Sequence, residues 1–336
     1  MMKQYGSVTI SKACKSSELK KLLPDYLRRS EAVIVKPSWY STHFGNFTDA
    51  ETLRVLLEAL EGRAVIVESY TLDRQDGSMK FTVQGKTVDW NWILKHPDWN
   101  WVKEDQRWEE FRKQDRWFLD TFGFTDLFKE RGVEYVNVTE EVWSKRTTDA
   151  DLVKQKTESK FKPAFTDRLY TFVPERLYRL EGAPLISYGK VKGIHGSFPS
   201  LTMKNLFGLI PDPLRAWWHG QDNVNLGRSI VDINKIYYSI FNIFGICEAI
   251  RYATISNPKG EVKAPWGSYS VARNLGIVAL GPCLSALDAT LCVLIGTKPE
   301  NVSYLQLAED TFGHYDRDKV EEAKHDAPKW FPNQTP

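Results

Sequence analysis

From Gly189 to Ile210 the sequence reads GKVKGIHGSFPSLTMKNLFGLI, which holds Lys190, Lys192, His195, Lys204 and Asn205 and no acidic residue at all. A solvated face mixes charges of both signs, so cations set among glycines and apolar residues raise the question of their counter-charge. Lys190 and Lys192 stand two apart, and on one strand they share a face. If that strand is buried, two ammonium groups there must lose a proton or meet an anion. A carboxylate or phosphate ligand answers this, with lysine acting as a point charge. A lysine with a lowered pKa is alternatively a base or a Schiff-base nucleophile. His195 sits in GIHG, where glycine lets backbone approach a ligand and imidazole moves protons near neutrality. Lys204 and Asn205 fall in the first turns of the next helix, whose free amides favour anions. The bland alternative leaves the lysines in water beyond the strand end, His195 on a surface loop and Lys204–Asn205 on an exposed helix face.

Other candidates lie in loops that an α/β frame brings together. Lys36 ends the apolar run EAVIVKPSW, and His43 lies in the following loop, PSWYSTHFGNFTD. Arg215 precedes Trp217 and Trp218 as a candidate ligand wall, and His219 follows in WWHGQDN. The expected catalytic set is Lys190, Lys192 and His195; the expected substrate-binding set is Lys36, His43, Lys204, Asn205, Arg215 and His219. His43, His195 and His219 with Asp222 or Asp232 are weak metal candidates, because no close-spaced ligand pair supports them. No metal ligand is assigned, and the cofactor stays open. Asp288, inside an apolar helix, needs a partner there, and a structural cap or salt bridge is favoured over a catalytic acid.

The elements that position these residues follow from periodicity. EAVIVKPSW and RAVIVES read as buried parallel strands flanking an amphipathic helix through Leu53, Leu56, Leu57 and Leu60, opened by a capping box at Thr48–Glu51. The loop after the first strand leaves a carboxyl end, where open α/β sheets bind ligands. PLISYGKV (184–191) reads as another buried strand, and SLTMKNLFGLI as a helix with Ser200 as N-cap and Pro211 as stop. SIVDINKIYYSIFNIFGICEAI reads as helix then strand, ATISNPKGEVKAPWG as a loop, and 144–168 as a polar surface excursion. A helix pair is expected around 285–325. Six of the twelve tryptophans fall between Trp90 and Trp117. The expectation is one α/β domain over 1–336, a mainly parallel, Rossmann-like open sheet with helices on both faces. Residues 71–130 form a Trp-rich helical insert or lid, which serves as a subdomain core, a sugar-stacking wall or the interface of a homo-oligomer.

Composition narrows the classes. The chain of 336 residues has net charge +2, 42% hydrophobic and 26% charged residues, ordinary for a globular domain. That charge is too small to point to nucleic acid. The four cysteines are scattered, without a CxxC pair, so reduced buried thiols and a cytoplasmic setting are expected. The stretch from Asn274 to Gly296 is nearly all apolar, but Gly281-Pro282 and Asp288 make it a strand, turn and helix rather than a membrane span. The N-terminus has no apolar signal-peptide core. No GxGxxG, Walker-type loop or GxSxG elbow supports dinucleotide, P-loop or hydrolase chemistry.

At SYGKVKGIHGSFPSLTMKNLFGLIP the chain resembles the uncharacterised family known as domain of unknown function 362. That family shows a lysine-bearing strand end, a short loop and a KNLFG-like helix start, which here fall on Lys190, Lys192, His195 and Lys204 to Gly208. VIVKPSW, IVDIN (230–234) and SALDAT are similar to further family elements in the same order. Ser38 replaces the asparagine usual after K-P, and the Trp-rich insert is not a family feature. Some relatives carry ferredoxin-like cysteine modules, which this chain lacks. The resemblance implies a fold more than a chemistry. A looser, fold-level analogy is to lactate-racemase-like proteins, which set lysine and histidine around a metal-bearing cofactor. The functional expectation is an enzyme acting on a small anionic metabolite, by isomerase, lyase or redox chemistry. The alternative is a non-catalytic binding or accessory protein using the same cleft.

Overall fold

Strands covered on both faces bury every side chain, so runs of β-branched residues make the sheet. The computed structural model describes residues 1–331 apart from 75–81, 84–85, 105–106, 194–197 and 265. In chain order the strands are β1 Met2–Tyr5, β2 Val8–Lys12, β3 Ala32–Lys36, β4 Arg63–Glu68, β5 Thr82–Val83, β6 Lys86–Thr87, β7 Glu134–Asn137, β8 Pro184–Lys190, β9 Lys192–Gly193, β10 Asn242–Ala249, β11 Tyr252–Ser256, β12 Val262–Ala264, β13 Gly267–Arg273 and β14 Ile277–Gly281. Eight form one sheet, in the order β1-β2-β14-β10-β8-β3-β4-β7. The run from β10 to β7 is parallel, and β14, β2 and β1 extend it antiparallel. The mainly parallel open α/β sheet expected from the sequence is the fold observed.

Alternation along each strand fills two cores. Ile34, Val65 and Leu185 join one with helices Leu226–Ile240 and Leu284–Leu294. Val33, Val35, Ile66 and Ile186 join the other with helices Ala50–Ala59 and Phe124–Arg131. From β3 the chain moves outward through β4 to β7, then returns to place β8 and β10 on β3's other side. The strand order therefore reverses between β3 and β8, and a crevice opens at the carboxyl ends there.

Several local expectations change. Lys190 and Lys192 do not share a face: β8 ends at Lys190, and β9 joins a second, four-stranded sheet, β12-β13-β11-β9. The stretch expected to be a loop after Ala249 supplies β11 and β12 of that sheet, because its hairpin with β13 offers paired backbone partners. Residues 144–168 include helix Ala150–Glu158, whose Val153 and Thr157, four apart, are buried. Helix Ala50–Ala59 is capped by Asp49, whose side chain accepts from the Thr52 amide, one residue later than the capping box placed it. Cys247 and Cys292 are buried, but Cys14 is exposed; all four thiols are free. Among the described residues no helix is long and apolar enough to cross a membrane.

The Trp-rich segment divides. Helices Trp108–Thr121 and Phe124–Arg131 are a pair, and Phe118, Phe124 and Leu127 reach the main core. Trp99, Trp101, Ile93 and Phe111 form a separate aromatic core with Tyr70, Trp143 and Leu214.

The KNLF region becomes helix Thr202–Leu206, followed by a tight turn at Phe207–Leu209. Ser200 does not cap it. The buried Asp288 carboxylate does, accepting from the amides of Thr202 (2.8 Å) and Met203 (2.9 Å), the Thr202 hydroxyl and Tyr304 Oη (3.2 Å). The cap reading of Asp288 thus holds, and the amides suggested for a ligand anion are already taken. Asp288→Ala leaves these donors buried and unsatisfied, and its urea midpoint should fall by a stability loss of about 3 kcal/mol.

Candidate functional site

Each of four central parallel strands carries one Lys or Glu near its carboxyl end: Glu248 on β10, Lys190 on β8, Lys36 on β3 and Glu68 on β4. Across the sheet they read Glu, Lys, Lys, Glu, so each lysine has an acid on its outer side. Lys190 Nζ donates to Glu248 Oε1 at 2.7 Å, and both side chains are fully buried. The same oxygen accepts from Thr48 Oγ1 at 3.3 Å, and Oε2 accepts from the Ile250 amide at 3.1 Å. Lys36 Nζ donates to Glu68 Oε2 at 2.9 Å and to the Pro37 carbonyl at 2.8 Å. Burial lowers the Lys36 pKa in spite of Glu68 and raises that of Glu248 in spite of Lys190.

A cleft of about 890 Å³ opens above Lys36 and Glu68, a size suited to a cofactor- or drug-sized ligand. Lys36, Lys192, Lys204, Asn205, Arg215 and His219 all line it. Lys190 does not; it lies beneath, held by Glu248. His195 lies outside the described residues, while Phe198, next in the chain beyond them, lines the cleft. His43 stands behind the wall, its ring 4.8 Å from that of Trp266, and burial lowers its pKa.

The lining residues differ in what already occupies them. Asn205 Nδ2 donates to the Lys36 carbonyl at 2.7 Å and to Ser187 Oγ at 3.2 Å, stitching β3 to β8. Arg215 spends Nε on the Ile210 carbonyl and Nη2 on that of Gly208. His219 Nδ1 lies 2.7 Å from Asn223 Oδ1, and its ring meets Trp90 and Phe207 edge-on. Lys192 and Lys204 are different. Among the described residues neither ammonium has a carboxylate partner; Lys204 Nζ sits 6.0 Å from the centre of the Phe198 ring. Burial, then the ammonium groups of Lys190, Lys36 and Lys204, push Lys192 down to about 7. Burial pushes Lys204 down to about 8.

Sequence reasoning missed the acids. Glu68 and Glu248 were visible as lone acids ending or interrupting apolar strands, RAVIVE and NIFGICEA. It also missed Gly208: a Cβ there would lie 2.8 Å from Lys36 Nζ and 3.3 Å from Glu68 Oε1, so the glycine of KNLFG leaves room for the ion pair. Tyr40 and Asp73 are hydrogen-bonded on the cleft wall, and burial raises the Asp73 pKa. The exposed Asp89 and Asp222 also border the cleft. Asp222 and Asn223 adopt the left-handed conformation (φ 53° and 65°) that Asp and Asn tolerate better than most residues. Aromatic walls complete the site, with Trp90 and Phe207 from one direction and Trp266, edge-on to Tyr40 at 5.6 Å, from the other.

Among the described residues no group of three or more His, Cys, Asp or Glu side chains is arranged to hold a metal ion. Asp232 instead pairs with Lys235 and accepts from the Phe165 amide.

Two stability predictions follow from this charge arrangement. Glu248→Gln strands the Lys190 ammonium in the core and should cost about 3–5 kcal/mol in denaturant unfolding. Lys192 behaves oppositely. Its folded pKa of about 7 lies below an unfolded value of about 10.4, so the unfolded chain binds more protons between them. Wild-type stability from this group therefore rises with pH across that window. Lys192→Met should be the more stable protein below pH 7, by about 2 kcal/mol, with its advantage shrinking as pH rises toward about 10.

A sequence model of the family described as Domain of unknown function (DUF362) matches residues 33–293, which include every lining residue named above. No curated protein and no solved structure matches the chain.

Proposed function

The chain belongs to this family of unknown function, and on that footing we propose that it is an enzyme acting on an anionic metabolite, a carboxylate or a phosphate, bound over the β3–β8 crevice. The observation that carries the reading is the pair of ammonium groups, Lys192 and Lys204, facing a large cleft with no carboxylate partner among the described residues. A buried cation without a counter-ion is costly, and a bound anion offsets that cost. Lys36 and Lys190 cannot substitute, since Glu68 and Glu248 already neutralise them.

The roles divide accordingly. Lys204 and Arg215 hold the anionic group, and Lys192 stabilises negative charge developing beside it. A group titrating near 7 also gives and takes protons at neutral pH, so Lys192 supplies proton transfer. His195 remains assigned to proton movement from the sequence, and Asp73 with Tyr40 offers a second acid–base pair. The aromatic walls suit a ligand with a planar or apolar body behind its charge. The free cysteines are consistent with a reducing, cytoplasmic setting.

The test is calorimetric titration with inorganic phosphate and simple carboxylates, paired with NMR monitoring of a panel of such metabolites for turnover. Affinity should fall as pH rises through 7 to 8, where Lys192 and Lys204 lose their protons. Lys192→Met or Lys204→Met should each weaken binding by about tenfold. Binding without turnover across the panel identifies a sensor or accessory protein instead, and absence of binding removes the anion site.

A further inference from the structure

Four lysines meet at the crevice, and they are not equivalent. Lys36 and Lys190 each spend Nζ on a glutamate. Lys204, half-buried, rests its ammonium near an aromatic face. Lys192 is 4% exposed and lines the cleft. Its position follows from the backbone: the Val191 amide donates to the Glu248 carbonyl, the Thr254 amide donates to the Val191 carbonyl, and the Ser200 amide donates to the Lys192 carbonyl. The residue is pinned on three sides while its amine stays free among the described residues.

From this arrangement we infer that Lys192 is a covalent nucleophile, forming a Schiff base with a carbonyl-bearing anion of the 2-oxo carboxylate type. The inference rests on the anion-binding reading and adds the reacting atom and the substrate class. Its grounds are the division of labour. Lys204 and Lys192 line one cleft and interact electrostatically, so a ligand whose carboxylate meets Lys204 holds its adjacent carbonyl in the space that Lys192 borders. The nearby amines of Lys190, Lys36 and Lys204 add to burial in disfavouring a positive charge at Lys192. The charged and titratable groups around it are Lys190 on β8, Lys36 on β3, Lys204 on helix Thr202–Leu206 and the Cys247 thiol on β10. Burial keeps that thiol protonated, so it supplies no counter-charge. A desolvated lysine beside other cations is the known way to make an amine nucleophilic near neutrality.

The step balances without any redox partner. The Nζ lone pair forms the N–C bond and the carbonyl π electrons move to oxygen. The resulting carbinolamine then loses that oxygen as water, which carries away one hydrogen from the amine and one proton from the medium. The protonated imine has the same charge as the ammonium it replaces. It serves as an electron sink for breaking a bond at the neighbouring carbon, and hydrolysis returns the free lysine.

The experiment is reductive trapping on the full chain. The protein is incubated with pyruvate, glyoxylate or 2-oxoglutarate and sodium cyanoborohydride, and the adducts are located by peptide mass mapping. Lys192 should be alkylated at least about tenfold faster than exposed lysines by one or more of these acids, because its neutral fraction is far larger at neutral pH. Its rate should rise with pH up to about 7, as the Lys192 amine loses its proton, and fall again above about 8, where Lys204 loses the charge that holds the carboxylate. Lactate, which has the carboxylate but no carbonyl, should protect Lys192 without labelling it. Lys204→Gln should slow trapping by about tenfold, whereas an exposed substitution such as Lys259→Gln should not change it. Mapping the wild-type protein makes the result independent of whether a Lys192 variant folds. If phosphate and lactate bind while all three oxo acids label Lys192 no faster than surface lysines, the Schiff-base assignment is wrong and the anion site stands. If nothing binds and nothing labels, both readings fall.

Discussion

The structure depends on neutralising charge where parallel strands end. Lys190–Glu248 and Lys36–Glu68 put two cations and two anions into the sheet's carboxyl edge at 2.7 and 2.9 Å. A buried pair of this kind adds little net stability, but losing either member is severe. Its effect here is selective. Two lysines are tied down, and the next two along the chain, Lys192 and Lys204, are left facing open space. Without the glutamates the crevice would hold four competing ammonium groups and no preferred one.

The frame around this edge serves the same arrangement. Asn205 ties the end of β3 to Ser187 of β8, and Ser187 Oγ donates onward to the Thr202 carbonyl at 2.7 Å. Asp288 holds the start of helix Thr202–Leu206 from the opposite side. Gly189 lets that helix lie against the strand, since a Cβ there would come within 3.2 Å of the Leu201 carbonyl group. The residues that looked like ligand contacts in the sequence are thus of two kinds. Asn205 and Lys190 build the site, and Lys192 and Lys204 face into it.

Much of the frame was legible because it rests on local rules. Apolar β-branched runs gave the parallel strands, a 3.6-residue period gave helices such as Leu226–Ile240, and Gly281-Pro282 broke an apolar stretch that length alone would have left ambiguous. The cationic cluster was legible because acids were missing from it. What stayed hidden was long-range pairing. Glu248 lies 58 residues from Lys190, and nothing in either segment announces the other. The second sheet was hidden for a similar reason: β9 is two residues long, and only its partner β11 makes it a strand. Ser200 was a reasonable cap by residue type, but the carboxylate that does the capping comes from 86 residues away.

The walls and the floor of the cleft come from different parts of the chain. The ionisable floor is built on β3, β4 and β8 and the turn and helix that follow them. Trp90 stands on a small aromatic core of its own, and Trp266 stands on the β12–β13 hairpin at the rim of the second sheet. Neither wall contributes a strand to the main sheet. The Trp90 wall can therefore change without touching the strands beneath, whereas the Trp266 hairpin shares its sheet with β9, the strand that carries Lys192. On the Trp90 side the shape of the cleft and the charge of its floor are thus set by separate segments, and on the Trp266 side one small sheet sets both.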